Sequence, residues 1–369
     1  MNESLNTKKQ LYAEKNYPVE FILPDKRKTF PTNILPMSIS FAIEFSVFME
    51  YTRQGYGFHN GNGDINFTLA DIISGNATRP CNIRLTQEMI NYVWRTMGFS
   101  SNEIYYANST KYSYMTEPEM KNAVKYALCE FGQPVIINSV GSFDWGYKLV
   151  VGYKKDGDIL ITSHHDNLQT EETINWYNND TEITIVGKRE KKPESKEIFK
   201  EAFKCVRTNL GKSVRGEERW YYDEWENFLR LENIGDMVNY VKQNHVIPGA
   251  MNTYPDGAAD SEIHVGGVIE FWWYIAERRY YVMQLFRQAK DYFPEIKNDL
   301  QELDNHFWYA SEIIGNQENG YTSEVGHDPV NMEIFAKQEV RARIADKVRE
   351  FREADAKGLE MVEKLCESL

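Results

Sequence analysis

The pattern between residues 117 and 187 constrains this chain most, because it fixes where strands form and what precedes them. Residues 117–131 (EPEMKNAVKYALCEF) carry apolar positions at helical spacing and an acidic first turn that suits the helix dipole. Gly132 stands where a helix C-cap is needed. Four short runs follow: PVIINSV (134–140), YKLVVGY (147–153), DILITS (158–163) and EITIVG (182–187). Their length and β-branched content predict strands, and Lys155-Asp156-Gly157 predicts a hairpin turn between the second and third. A helix feeding a run of antiparallel strands predicts an α+β domain.

On either side the signals change. Upstream, residues 18–30 read as a strand with a polar turn and 36–53 as a helix, with Pro36 near its start and Phe41, Phe45, Phe48 and Met49 on one face. Residues 54–66 (QGYGFHNGNGDIN) read as loop, and 86–98 as a helix ending near Gly98. Downstream, the charged stretch 188–196 (KREKKPESK) marks a boundary beyond which strand signals vanish. Helices are expected at 195–210, 217–231, 234–243, 262–291, 295–314 and 330–367. The last keeps Val340, Ile344, Val348, Phe351, Leu359 and Val362 on one stripe. The loop 246–261, rich in Gly, Pro and Asp, is long enough to serve as a lid or binding loop. Two domains are therefore expected, an α+β domain over 1–190 and a helical domain over 191–369, which suits a 369-residue chain.

Composition excludes several function classes. Net charge is −13, which argues against a general binder of nucleic acid or anionic membranes. No run of 18 apolar residues exists; Ile39 to Met49 is too short and is broken by Glu44. The start, MNESLNTKKQLYAEKNY, lacks the apolar core of a secretory signal. Cys81, Cys129, Cys205 and Cys366 are far apart with no C-x-x-C pair, so zinc ribbons and dithiol motifs are unsupported. Free thiols without a signal point to the cytoplasm. No ligand spacing for a metal is legible, and no cofactor motif: QGYGFHNGNG around His59 lacks the Lys of a phosphate loop.

The stretch FGQPVIINSVGSFDWGYKLVVGYKKDGDILITSHHDN (131–167) resembles the C-terminal half of papain-like cysteine-peptidase folds. It is similar in particular to bacteriocin-processing peptidases and to the acyltransferase-like N-terminal domain of butirosin biosynthesis protein H. The common pattern is a helix, G-x-P-V-I on a strand, a loop, an apolar strand ending V-V-G-Y, a turn and another strand. Upstream, NILPMSISFAIEFSVFMEY (33–51) is similar to the nucleophile-bearing helix of that fold, and SGNATR (74–79) to an S-G-x-A-x-R segment of butirosin-H-like bacterial proteins. Downstream, EITIVGKREKKPESKEIFKEAFKCVRT and the helix holding Ala276, Glu277, Arg278 and Arg279 are similar to that group's helical extension. The resemblance implies a papain-like fold followed by an all-helical domain.

The catalytic places of that fold are altered here. The helix dipole and a neighbouring imidazolium stabilise a thiolate at the amino end of the first core helix. This helix has no Cys, and Ser38 or Ser40 occupies the place. The family's His opens the V-V-G-Y strand; here Trp145 and Gly146 precede Tyr147, so Tyr replaces His. The third place carries His164, His165, Asp166 and Asn167.

Each candidate also has a structural role. Ser38 and Ser40 fit helix capping, and a serine nucleophile needs a base within reach. Tyr147 and Trp145 could contact a ligand or pack in the core. On a strand His164 and His165 point to opposite faces, so only one could join a Ser-His-Asp arrangement with Asp166. Cys129 and Cys205 fall in helical runs and suit packing as small apolar groups. The aromatic clusters at 220–225 and 271–274, including Trp272, could form ligand platforms or core. Arg278 and Arg279 could clasp a carboxylate or phosphate in bidentate fashion, with Glu270 and Glu277 as the structural alternative partners.

The leading functional expectation is a cytosolic, non-hydrolytic relative of cysteine peptidases. It would bind a small molecule or peptide in the cleft between its domains, through Tyr147, Trp145, His59, Trp272, Arg278 and Arg279. One alternative is an acyl- or aminoacyl-transferase or amidase using Ser38 or Ser40 with His164 or His165. Another is an oligomeric interaction protein, using its acidic surface and long terminal helix. No nucleic-acid partner, no membrane partner, no cofactor and no metal are expected; a homo-oligomer is compatible with all three.

Overall fold

The structure, a computed structural model, describes residues 2–13, 15–23, 72–73, 78, 87–96, 98–100, 102–138, 147–163, 170–188, 190–191, 193–244, 275, 278–316, 320, 323–326 and 331–369. The fold is mixed α+β, with an antiparallel sheet and several helices. Its described residues form two compact units. One draws on Met1–Glu50 and Thr86–Pro193, the other on Tyr51–Leu85 and Glu194–Leu369. Ile72, Ile73 and Thr78, which lie inside the 1–190 stretch of sequence, therefore group with the helical unit.

In the first unit helix α1 (Asn2–Ala13) leads to a two-residue strand β1 (Phe21–Ile22). Helix α2 (Gln87–Thr96) precedes β2 (Asn102–Tyr106). Helix α3 (Glu117–Tyr126) starts with a capping box between Thr116 and Glu119, and Pro118 sits where its missing N–H costs nothing. A π-helical turn, Ala127–Phe131, extends it, and Gly132 at φ 63° ends it. Then come β3 (Val135–Asn138), β4 (Tyr147–Lys154), β5 (Ile159–Ser163), β6 (Thr170–Ile174) and β7 (Glu182–Val186).

The sheet runs β2-β7-β3-β4-β5-β6, with β1 pairing to β4 outside that path. All the pairings are antiparallel. Met120, Val124 and Leu128 of α3 and its extension pack on Val135, Ile137, Val150 and Ile183. Ile136, which alternates to the opposite face of β3, is also buried. A strand buried on both sides reads as a continuous apolar run, which is why PVIINSV is so legible. The turn expected at Lys155-Asp156-Gly157 forms, with φ of 50°, 57° and 94°. The buried Trp176 indole holds it by donating to the Gly157 carbonyl at 2.9 Å.

Three elements were not expected from the sequence. β6 (TEETI) has one apolar residue and stays at the edge, held by backbone pairing to β5 and by ion pairs from Lys148 to Glu171 and Lys154 to Glu172. β2 begins with Asn102 and Glu103, which mask its pattern. α1 lacks an apolar stripe: its buried contact is Tyr12.

The second unit is helical throughout its described length. α4 (Ser195–Val214), α5 (Trp220–Leu229), α6 (Ile234–Asn244), α7 (278–289), α8 (Lys297–Gly315), α9 (Met332–Phe335) and α10 (Gln338–Ser368) follow in order. α4 runs four residues past the expected end at 210. Of the helix expected over 262–291, residues 275 and 278–291 are described, and 290 and 291 already form a turn. Phe286 stacks between Phe203 and Phe307, with ring centroids 5.4 and 5.6 Å away. Gly358 brings α10 against α8, since a Cβ there would lie 2.8 Å from the Phe307 ring.

The single helix expected over 330–367 is two, and Arg341 explains the break. Its fully buried guanidinium donates to the carbonyls of Phe335 (3.0 Å) and Ala336 (2.6 Å) at the end of α9. It also donates to Leu231 (2.8 Å) and Glu232 (3.0 Å) after α5. One side chain thus satisfies carbonyls that two helix ends leave open. Replacing it with a shorter, unbranched apolar residue, Arg341→Met, strands those acceptors. Urea unfolding of the full chain should show a loss of about 2–4 kcal/mol. A loss under about 0.5 kcal/mol would mean that water serves these carbonyls equally well.

Candidate functional site

Strand register brings four polar residues into one row at an end of the sheet. Tyr106 on β2 lies opposite Glu182 on β7, Glu182 opposite Asn138 on β3, and Asn138 opposite Tyr147 on β4. Residues directly opposite in antiparallel strands have Cβ atoms about 4.5–5.5 Å apart. The row exists because each strand begins or ends its apolar run there: Glu182 opens EITIV and Asn138 closes VIIN. Glu182 is buried, at 5 % exposure. A buried carboxylate is costly unless something polar or cationic attends it, so its place in the row that ends at Tyr147 marks this end of the sheet.

Glu182 is not conspicuous in the sequence. Its signal was a carboxylate heading an otherwise apolar run. Of the residues singled out from sequence, Tyr147 is the one the register places in this row. Ser38, Ser40, His59, Trp145, His164, His165, Asp166 and Trp272 lie outside the described residues, as do Cys81 and the loop 246–261.

The described thiols have the properties of packing groups. Cys129 sits in the π-helical turn, with its Sγ 3.6 Å from the Tyr153 hydroxyl, which donates to the Pro18 carbonyl at 2.9 Å. Burial pushes the Cys129 thiol up; the Tyr153 hydrogen bond lowers it only in part, and Glu130 adds to the rise. Cys205 is buried, and burial also raises Cys366, against the pull of Arg207 and Lys204. A nucleophilic thiol needs the opposite shift. His306 is the one described histidine of seven. Its Nε2 lies 2.8 Å from the Ala354 carbonyl, and burial lowers its pKa. Among the described residues no group of three or more His, Cys, Asp or Glu could hold a metal ion.

Arg278 and Arg279 are both buried on α7. Arg279 is engaged by Asp355 of α10; Glu270 and Glu277, the partners expected from sequence, lie outside the described residues. Its Nε donates to Asp355 Oδ1 at 2.8 Å and its Nη2 to Oδ2 at 2.6 Å. Nη2 also donates to the Thr78 carbonyl at 3.2 Å, and the guanidinium lies 5.2 Å over the Phe351 ring. Tyr222 donates to Asp355 Oδ2 at 2.5 Å. Burial pulls the Arg279 pKa down, but Asp355 outweighs it and leaves the guanidinium above its ordinary value. Burial, and then Asp355, hold the Tyr222 hydroxyl well above its usual range, so it stays a donor. The bidentate clasp foreseen for Arg279 therefore closes on the chain's own carboxylate. Tyr222 and Trp225 of the first aromatic cluster are core, whereas Trp220 is 50 % exposed and stacks on Tyr221.

No protein-family model, curated protein or solved structure matches this chain. Among the described residues no helix is long and apolar enough to cross a membrane.

The buried ion pair makes a clear prediction. Asp355→Ala leaves Arg279 buried without its carboxylate and should cost about 3–5 kcal/mol in chemical unfolding. The double change Arg279→Met with Asp355→Leu should recover most of that loss. A single variant as stable as the parent would show that the guanidinium reaches water.

Proposed function

We propose that this chain is a non-hydrolytic protein of papain-like type, acting in the cytoplasm. It holds a small molecule or peptide at the Tyr147 end of the sheet. The observation that carries this is the row Tyr106–Glu182–Asn138–Tyr147, with a buried carboxylate two strands from the residue standing where the resembled fold has its histidine. Imidazole can take and return a proton near neutral pH, whereas a tyrosine hydroxyl, with an ordinary pKa of about 10, serves as a hydrogen-bond donor or acceptor. Exchanging one for the other removes proton transfer and keeps ligand contact. The raised Cys129 and Cys366 thiols add support, because neither is set up as a thiolate. A buried carboxylate favours ligands that present an amine or other N–H donors, which include the amino end of a peptide.

A thermal-shift screen of the full chain against amines, amino acids and short peptides tests the proposal. A true ligand at about a hundredfold excess over Kd stabilises by about 2.7 kcal/mol, enough to raise Tm by several degrees. Glu182→Gln, with its circular dichroism unchanged, should abolish that shift. Steady turnover of a peptide or ester by the parent protein would overturn the non-hydrolytic part of the proposal. An equal shift in Glu182→Gln would remove the row from the binding site.

A further inference from the structure

The N-terminal segment is attached to its unit in an unusual way. Among residues 5–23 whose side chains are described, only Tyr12 and Leu23 are buried. Leu11, Val19 and Ile22 stay exposed, the last two by more than half. Three lysines add a charged attachment to this small apolar one. Lys8 pairs with Glu103 on β2, Lys9 with Glu119 on α3 at 3.1 Å, and Lys15 with Glu130 in the π-helical turn at 2.5 Å. All three pairs are partly solvent-exposed. The remaining links mix polar and apolar contacts: Leu5 and Phe21 pack on the core of the unit, the Tyr12 ring lies 5.0 Å from that of Tyr126, and Phe21 stacks on Tyr153. Tyr12 donates to Glu103 at 3.2 Å and lies 3.0 Å from the Tyr105 hydroxyl. Asp156 N–H donates to the Val19 carbonyl and Leu23 N–H to the Val151 carbonyl, both at 2.8 Å. β1 approaches β4 closely over Gly152, where a Cβ would lie 2.6 Å from the Phe21 carbonyl oxygen.

Partly exposed ion pairs are weak and screened by salt, whereas ordering a segment of this length has a large entropic cost. An element with little buried apolar area and a charged attachment belongs to the part of a fold that opens first. Beneath it lie Glu103, Glu119 and Glu130 with the hydroxyls of Tyr105 and Tyr153, a face that offers negative charge and hydrogen-bond acceptors to a lysine-bearing segment. Cys129 lies beside that face, through Tyr153 and its bond to Pro18.

We propose that residues 2–13 and 15–23 form an electrostatically latched strap that detaches as one piece and reseats on this acidic, tyrosine-lined face. The face is thus a docking surface whose resident occupant is the chain's own lysine-bearing strap. Because the ion pairs hold it, ionic strength sets the fraction released. Neither the polar row nor the ligand proposed above enters into this.

Hydrogen exchange of the full chain, read by mass spectrometry at about 0.05 and 0.5 M NaCl, tests it, since the Debye length falls from about 14 to about 4 Å across that range. Peptides covering α1 and β1 should exchange about tenfold faster at the higher salt and by the same factor, while β3 and β5 stay protected. Lys8→Met with Lys9→Met should reproduce the fast exchange at low salt. Iodoacetamide labelling of Cys129, with Cys205 as the internal reference, should quicken under the same two conditions. Exchange that salt and the double variant both leave unchanged would overturn the latch. Release of α1 with β1 still protected would overturn the single strap. Opening of β3 and β5 together with the segment would show global loosening instead of release.

Discussion

A carboxylate at the centre of the helical unit sets the terms for everything around it. Asp355 has no exposed surface, and such a charge is tolerated only when a cation and hydrogen-bond donors reach it. Arg279 from α7 and Tyr222 from α5 supply them, so three helices are fixed in rotation by the needs of one group. The same guanidinium holds the Thr78 carbonyl, which ties a residue from a distant part of the chain to this core. Apolar packing around Phe351 and Val348 gives the energy of burial; the ion pair gives the register. Arg341 does similar work without a carboxylate, by collecting the carbonyls at two helix ends.

The sheet unit is organised by a different constraint, the pairing order. β7 is last in sequence but lies between β2 and β3, so Glu182 meets Asn138 and Tyr106 from strands far away along the chain. That insertion creates the polar row. It also leaves β6 at the edge, where charged side chains discourage further pairing.

Legibility followed burial. β3 and β4 and the helix before them were plain in the sequence because both faces of β3 are buried and its run is unbroken. α1, β2 and β6 were hidden because partial exposure lets polar residues interrupt the period that reveals an element. The buried charges were visible in principle. Asp355 falls on the same stripe as Val348, Phe351, Leu359 and Val362, and Arg341 stands beside Val340 and Ile344 on it. A charge on an apolar stripe announces a partner, but spacing along one helix does not say which other helix brings it. That is why Glu270 and Glu277 were natural candidates for Arg279 and why Asp355, 76 residues away, was not.

The sequence by itself determined the division between a strand-bearing part and a helical part, the helix-to-strand order around residues 117–163 and the turn at Lys155-Asp156-Gly157. These depend on periodicity and local backbone preference, which neighbours a few residues away decide. Tertiary structure alone decided that Glu182, Asn138 and Tyr147 stand in one row, and that Arg279 closes on Asp355. It also decided that three lysines hold the N-terminal segment. Each of these joins groups remote in sequence, and the free energy of burying or pairing a charge is set by what surrounds it in space.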